Sequence, residues 1–283
     1  DIPFSSEDAL IAADLLGEKV SYYAISASCE LAAEKGTYES YKGSKWDRGI
    51  FPLDTIDLLE QERGMPIEVS RTYTMDWAGL KEKVKQFGMR NSNVMAIAPT
   101  ATISTIAGCS PCIEPIYKNI FVESNISGEF VIINSYLIED LKKRGQWNKS
   151  MLDKLKYYDG DISMIEEIEP HLKEKYKTSF DIQAEWLLKI TATRGKWIDQ
   201  SQSHNVFIKG VSGKRLDEVY MAAWKYGMKT TYYLRTLAAT QIEKSTLDAS
   251  TFGFTQKRQY GANTNVPATQ ACGIEKPECE SCQ

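Results

Sequence analysis

The sequence predicts an α/β protein in which helices alternate with buried, parallel strands. One observation is the short apolar run "NVMAIAP" at residues 93–99, which Pro99 ends and which is typical of a fully buried strand. A second is the helical segment "GKRLDEVYMAAWKYG" at 213–227, which leads directly into the strand-like run "MKTTYYLR". Because further helical segments precede and follow the first strand, the order of elements favours a parallel sheet.

The first predicted helix begins after Ser6 and ends at Gly36. Ser6 is a suitable N-cap, the acidic Glu7 and Asp8 suit the first turn, and glycine is common where helices end. The apolar residues expected on its buried face are Leu10, Ile11, Leu15, Ala24, Ile25 and Leu31.

Four later segments complete the predicted elements. Residues 74–89 form a helix after a loop at 39–55, and residues 120–132 form a hairpin or an irregular excursion. Two more helices are expected at 135–145 and 184–201. The second helix of the chain, at 74–89, should bury one face, made of Trp77, Leu80, Val84 and Phe87.

The composition changes near residue 244. The remainder is rich in Ser, Thr, Asn, Gln, Gly and Pro and has no periodic apolar face. We therefore predict a folded part at 1–243 and a flexible tail at 244–283.

The bulk composition excludes several classes of protein. Hydrophobic residues make up 42% and charged residues 25%, which is ordinary for a soluble globular chain, and the net charge of −4 argues against general binding of nucleic acid or membrane surfaces. No apolar run has the length of a transmembrane helix, and the N-terminal residues do not resemble a secretory signal. Six cysteines in a chain of this length do not predict a secreted disulfide scaffold, so we expect a cytoplasmic protein.

The run "APTATISTIAG" at 98–108 is a candidate anion site. It is small and hydroxyl-rich, and a turn between a strand and a helix exposes backbone N–H groups at the positive helix end. Thr100, Thr102 and Ser104 could bind phosphate there. The alternative is an ordinary capped turn, and neither a Walker pattern nor G-x-G-x-x-G supports the phosphate interpretation.

Two C-x-x-C pairs occur. Cys109 and Cys112 could be a redox pair or half of a zinc site that Cys279 and Cys282 complete, but we favour two buried apolar side chains and no metal. The terminal pair sits on an arm that would span roughly 35–40 Å as a random coil, so it could carry out thiol–disulfide exchange at a distance. The alternative is a pair of incidental cysteines in a disordered end.

The neighbouring Tyr232 and Tyr233 raise a geometric question. Adjacent side chains of a strand point to opposite faces, so contact between the two rings requires the strand to end or twist there. Packing is one explanation for the pair. The other is stepwise passage of an oxidising equivalent.

Together, four motifs resemble the large, catalytic subunit of class I ribonucleotide reductase, in its C-terminal part: "APTATIS", "IEP" at 113–115, "KTTYYLR" and "CESCQ". The resemblance extends over the whole chain. It implies a ten-stranded α/β barrel of two five-stranded halves, of which this chain would supply later strands, flanking helices and the tail.

The resemblance also implies roles for individual residues. Tyr232 and Tyr233 would pass a radical from a small subunit, and Cys279 and Cys282 would re-reduce an active-site disulfide and be reduced by thioredoxin or glutaredoxin. The helix at 213–227 would dock the small subunit's C-terminal peptide. The residues expected to hold the diphosphate of a ribonucleoside diphosphate are Pro99, Thr100, Ala101, Thr102, Ile103 and Ser104. No cofactor would bind this chain directly, because the metal–radical cofactor belongs to the small subunit.

Several family features have no match here. These are the thiyl-forming cysteine with its neighbouring Asn and Glu, the two cysteines that reduce the ribose, the nucleotide specificity site and the regulatory cone. The resemblance thus implies that the chain is inactive alone and needs an N-terminal part of the large subunit to supply deoxyribonucleotides for DNA replication. Two other functions stay open: a stand-alone phosphate-binding thiol oxidoreductase and a non-enzymatic module clipped by zinc.

Overall fold

The structure is a computed structural model that describes residues 2–125, 128–210 and 212–236. These residues divide into two compact units. The first contains the chain up to Asn119 and from Asp161 onward, and the second contains Ile120–Gly160. The predicted boundary between a folded part and a tail at 243/244 lies outside the described residues and stays a prediction.

Helices dominate the described residues. They are α1 (Glu7–Lys35), α2 (Asp54–Arg63), α3 (Trp77–Phe87), α4 (Ile103–Ala107), α5 (Ser135–Lys143), α6 (Lys149–Tyr157), α7 (Pro170–Lys175), α8 (Ala184–Gly195) and α9 (Gly213–Lys225), with a 3₁₀ turn at Ile162–Met164. The strands are β1 (Ile120–Asn125), β2 (Gly128–Ile133), β3 (Val206–Ile208) and β4 (Leu234–Thr236). The predictions of α1, α3, α5, α9 and the hairpin are confirmed, and α8 is confirmed except that it ends at Gly195 and not at residue 201. The helices α2, α6 and α7 were not predicted.

Both ends of α1 lie where the sequence places them. The Ser6 hydroxyl accepts a hydrogen bond from the Ala9 N–H, and Gly36 follows the last turn with a φ of 78°, a conformation that favours glycine.

The predicted buried face of α1 is largely wrong. Ile11, Leu15 and Leu31 are exposed, and of the predicted set Ile25 alone is fully buried. Helix α1 packs against α3 and α8 with a face made mostly of small residues. Small side chains let helix axes approach closely, so the bulky apolar residues of α1 are left on its other side. The residues that it buries are Gly17, Glu18, Ser21, Ile25, Ser28, Cys29 and Ala32.

The core of the first unit is aromatic. The rings of Trp77 and Trp197 stack with centroids 5.4 Å apart and planes inclined by 8°. Leu80 and Val84 of α3 join this cluster as predicted, but Phe87 is exposed because it lies in the last turn of the helix.

The parallel architecture is confirmed, although the strands are short. β3 pairs with β4 in parallel, and Ile97 forms a parallel bridge with Gln202. Ile97 bonds to Ser201 and Ser203, whereas His204 and Val206 bond to residues 232 and 233. Successive backbone groups of an extended chain point to alternate edges, so the segment 201–208 lies between the other two.

The run 93–99 is therefore not the fully buried strand that the sequence predicted. Apart from the bridge at Ile97 it has no regular strand structure, and its side chains are exposed or half-buried. Among the described residues it has a strand neighbour on one side only. The described segments do not close a barrel.

The second unit is a hairpin followed by two helices. β1 and β2 are antiparallel, with Ile120 opposite Ile133 and Asn125 opposite Gly128. In α5 and α6 the apolar residues Leu137, Leu141, Met151 and Leu155 are buried.

Within the three described ranges, no helix is both long enough and apolar enough to cross a lipid bilayer.

Candidate functional site

The threonine-rich turn at 99–104 follows the bridge at Ile97 and opens the short helix α4. The Ser104 hydroxyl is buried and donates to the Ala101 carbonyl at 3.1 Å, and the Thr100 hydroxyl accepts the Cys112 N–H at 2.8 Å. Pro99, Ala101, Thr102 and Ile103 are exposed. Two of the three predicted hydroxyls thus shape the turn, while Thr102 faces solvent.

Cys109 and Cys112 are not the buried apolar pair that we predicted. Cys109 is exposed and Cys112 is half-buried, and both are free thiols. Cys112 has a φ of 65°, which is uncommon for a non-glycine residue. The pair lies beyond the C-terminal end of α4, where the chain runs along the surface instead of entering the core.

Tyr232 and Tyr233 lie in contact. Their ring centroids are 4.0 Å apart with planes inclined by 55°, and the Tyr232 hydroxyl donates to the Tyr233 hydroxyl at 3.2 Å. The Arg235 guanidinium stands 4.6 Å from the centre of the Tyr233 ring. β4 begins only at Leu234, so the pair precedes the strand and the alternation of a strand does not apply to it.

A buried polar cluster connects the two segments, and the sequence did not reveal it. Glu114, within the motif "IEP", accepts hydrogen bonds from the backbone N–H and the side-chain amide of Asn205, each at 2.6 Å. The Nδ1 atom of His204 lies 3.1 Å from the same carboxylate and 3.0 Å from the Thr191 hydroxyl. No spacing rule pairs residue 114 with 204 and 205, so only the motif itself signalled that Glu114 matters.

Arg194 completes this cluster. Burial lowers the pKa of its guanidinium to about 10, and the charge of Glu114 acts in the opposite direction. Its Nη2 atom lies 3.5 Å from the Thr191 hydroxyl. The Glu114 carboxylate thus acts electrostatically on a guanidinium that is largely buried.

The helix expected to dock a partner peptide, α9, exposes three large side chains: Tyr220, Met221 and Trp224. Arg63 lies over the Trp224 ring, 4.5 Å from its centre.

Two predicted sites, the tail dithiol and a zinc site, depend on Cys279 and Cys282. Cys279 and Cys282 lie outside the described residues, and so does any zinc site that would need them. In the part of the chain that the structure covers, no group of three or more His, Cys, Asp or Glu side chains could hold a metal ion.

Comparison with known proteins gives a consistent result. A sequence model described as "Ribonucleotide reductase, barrel domain" matches residues 1–234. The chain is 48% identical over its whole length to the ribonucleoside-diphosphate reductase subunit alpha of Chlamydia pneumoniae, and covers 28% of that protein. It is 40% identical to the large chain of Schizosaccharomyces pombe, where the match covers 87% of this chain and 29% of the relative.

A solved structure supports the fold. The alpha subunit of the class Id ribonucleotide reductase of Actinobacillus ureae superimposes with a TM-score of 0.60 over 84% of this chain and 36% of that one, at 24% sequence identity. The chain thus spans about a third or less of the length of these relatives. Since the match to the barrel-domain model extends over residues 1–234, the chain belongs to the ribonucleotide reductase family.

Proposed function

We propose that this chain is the C-terminal component of a ribonucleoside-diphosphate reductase large subunit. It binds the substrate diphosphate, passes an oxidising equivalent through two tyrosines and re-reduces the active site with a tail dithiol. The relatives named above carry the reductase activity in their names, and this chain spans 28% of the Chlamydia protein, so the activity belongs to a larger assembly.

The observation that carries the proposal is the contact between Tyr232 and Tyr233. Two hydroxyls 3.2 Å apart form a short path for an electron and a proton to move together. Both rings are about half exposed, so the pair is not explained by core packing. Exposure also leaves room for a partner to approach the first tyrosine.

The turn at 99–104 supports substrate binding. At the start of α4 the Ser104 N–H donates to the Thr100 carbonyl and the Thr105 N–H to the Thr102 carbonyl. The Thr102 side chain beside them is exposed, so its hydroxyl is accessible to a diphosphate. Internal hydrogen bonds of Thr100 and Ser104 fix the backbone before a ligand arrives, which lowers the entropy lost on binding.

The remaining parts of the proposal follow from the family. An N-terminal part of the large subunit supplies the thiyl cysteine, and a small subunit supplies the metal–radical cofactor and docks on α9. Cys279 and Cys282 exchange electrons with thioredoxin or glutaredoxin. This chain holds no cofactor of its own in this scheme.

The test is Tyr232→Phe in an assembly reconstituted with an N-terminal large-subunit fragment and a small subunit. Phenylalanine keeps the ring but removes the oxidisable O–H, so we expect turnover to be lost. Substrate affinity and the midpoint of unfolding should stay unchanged. The quantities to measure are deoxyribonucleotide formation, nucleotide binding and thermal unfolding.

Tyr73→Phe is the matched control, since Tyr73 is also exposed and lies away from the pair in sequence. It should leave turnover intact. Normal turnover in the Tyr232→Phe assembly would disprove the relay. Dithiol oxidoreductase activity of the chain alone would favour the stand-alone alternative instead.

A further inference from the structure

We infer that Glu114 is a positioning residue. It holds the turn at 99–104, called the substrate turn below, and the pair Tyr232 and Tyr233 in a fixed relation to each other. The roles of the two segments, substrate binding and radical transfer, rest on the function proposed above. The connection between them rests on contacts alone, so it can be tested without any turnover.

The Glu114 carboxylate is an unusually well-partnered group. Its side chain is 5% exposed, and both oxygens accept hydrogen bonds of 2.6 Å from Asn205, one from the backbone and one from the side-chain amide. Hydrogen bonds to an ionised acceptor are about twice as strong as those between neutral groups. Glu114 therefore fixes both the backbone and the side chain of Asn205.

One side of this contact leads to the substrate turn. Two residues before Glu114, the Cys112 N–H donates to the Thr100 hydroxyl at 2.8 Å. The Asn205 amide also donates to the Cys112 sulfur at 3.5 Å. The backbone from 112 to 114 is thus attached to the turn at one end and to Asn205 at the other.

The other side leads to the tyrosines. The residues on either side of Asn205 bond to the backbone of the pair: the His204 carbonyl accepts the Tyr232 N–H at 2.7 Å, and the Val206 N–H donates to the Tyr233 carbonyl at 2.8 Å. A shift of Asn205 would therefore move both tyrosines. Through Glu114, the turn and the pair form one hydrogen-bonded unit.

The cost of this arrangement points to positioning instead of general stability. Buried charged groups are often no more stabilising than apolar residues of the same volume, but their directional hydrogen bonds fix a geometry. The cluster even leaves polar atoms without partners among the described residues: Asn205 Oδ1, Gln202 Oε1 and Arg194 Nε. Polar groups retained at such a cost are expected where orientation matters.

A swap of the two side chains tests the connection directly. Glu114→Gln replaces one acceptor by an amide N–H, so the Asn205 amide must flip to stay paired with it and then loses its bond to the Cys112 sulfur. Asn205→Asp sets two carboxylates against each other. In the double variant the new amide at 114 can donate to the new carboxylate at 205, while its oxygen still accepts the backbone N–H. Each single change should weaken the contact, and the double change should restore the bond between the two side chains.

The measurement is amide hydrogen exchange in the full 283-residue chain, followed in the peptides that contain 98–108 and 228–236. We expect each single variant to speed exchange in both peptides by about tenfold, since a net loss of about 1.4 kcal/mol is a factor of ten. The double variant should return both to within about twofold of the original. Glu166→Gln removes an exposed carboxylate and serves as the matched control, with no change expected.

Three results would overturn the inference: no change in the tyrosine peptide, equal loosening throughout the first unit, or failure of the double variant to restore exchange or folding. If the single variants do not fold and the double variant does, the pairing is supported.

In the reconstituted assembly the single variants should raise KM and lower kcat together, and the double variant should recover both. If Tyr232→Phe is active while the exchange results hold, the relay is wrong but the positioning role of Glu114 stands.

Discussion

The hydroxyl of Tyr232 donates a hydrogen bond to the hydroxyl of Tyr233, and this bond is the main reason why the pKa of Tyr232 is raised. The neutral phenol is the donor, so loss of its proton breaks the bond. The bond therefore stabilises the protonated form of Tyr232.

Tyr233→Phe should therefore lower the pKa of Tyr232 toward its ordinary value. Titration of isotope-labelled tyrosines by NMR would follow the Tyr232 signal, assigned by its loss in Tyr232→Phe. Tyr73→Phe should leave this titration unchanged. A Tyr232 pKa that does not respond to the loss of its neighbour's hydroxyl would show that the two groups are not hydrogen-bonded in solution.

Glu18→Gln should make the free energy of unfolding less dependent on pH in the acidic range. Burial raises the pKa of Glu18, but hydrogen bonds from the Met75 and Thr74 N–H groups, the Thr74 hydroxyl and the Trp77 indole outweigh this, and the net pKa is lowered. The folded state thus releases the proton more readily than the unfolded state. Its contribution is present above the unfolded pKa of about 4.3 and is lost as the pH falls through the folded pKa.

We expect Glu18→Gln to cost about 1–3 kcal/mol of unfolding free energy at pH 7, because one buried donor loses its acceptor. The difference from the original chain should shrink below about pH 4. Urea unfolding at a series of pH values measures both. A constant difference across the whole range would contradict the assignment.

Gly17→Ala should destabilise the protein even though Gly17 lies inside a helix. Alanine normally gains about 1 kcal/mol over glycine in such a position. Here a Cβ would lie 2.9 Å from Cδ1 of Trp197, which is fixed by stacking on Trp77. Overpacking of this kind costs about 1–3 kcal/mol, so we expect a net loss measured by chemical unfolding.

Ala12→Gly on the exposed side of the same helix gives the comparison for Gly17. It should lose about 1 kcal/mol through helix propensity alone. If Gly17→Ala is instead more stable than the original chain, the Trp197 ring can shift to make room for the Cβ, and the overpacking argument is wrong.

Substitutions of Thr100 and Thr102 should have different effects on stability but the same effect on substrate binding. Thr100→Val removes the acceptor of the Cys112 N–H and should cost about 1 kcal/mol in unfolding experiments. Thr102→Val changes an exposed side chain and should alter stability by less than about 0.5 kcal/mol. In the assembly both should raise KM for the nucleotide. If Thr102→Val leaves KM unchanged, its hydroxyl does not bind the substrate.

The sequence predicted local features well because their causes are local. Ser6 and Gly36 set the ends of α1 through capping and backbone conformation, which depend on neighbouring residues alone. The contact within the tyrosine pair was also anticipated, under the condition that the strand does not include it.

Features decided by distant packing were not predictable. The buried face of α1 follows the close approach of α8, so Gly17 and Ser21 are buried while Leu15 is exposed. The run 93–99 has the apolar composition of a covered strand, but among the described residues it has one neighbour only. The link from Glu114 to Asn205 joins residues that no periodicity relates.

The parallel pairing of Ile97 with Gln202 also affects how early the chain can fold during its synthesis. Ile97 finds its bridge partner only after roughly a hundred further residues have been added, and the Trp197 indole bonds to Asp14 across 183 positions. Contacts so remote along the chain form slowly, because a long loop must close before any of them is gained. During synthesis the threonine-rich turn therefore leaves the ribosome well before the segment that holds it, and α1 must wait for α8, one of the helices that cover its buried face. Until those partners arrive, surfaces that are buried in the finished fold stay open to other chains, the condition under which larger proteins aggregate.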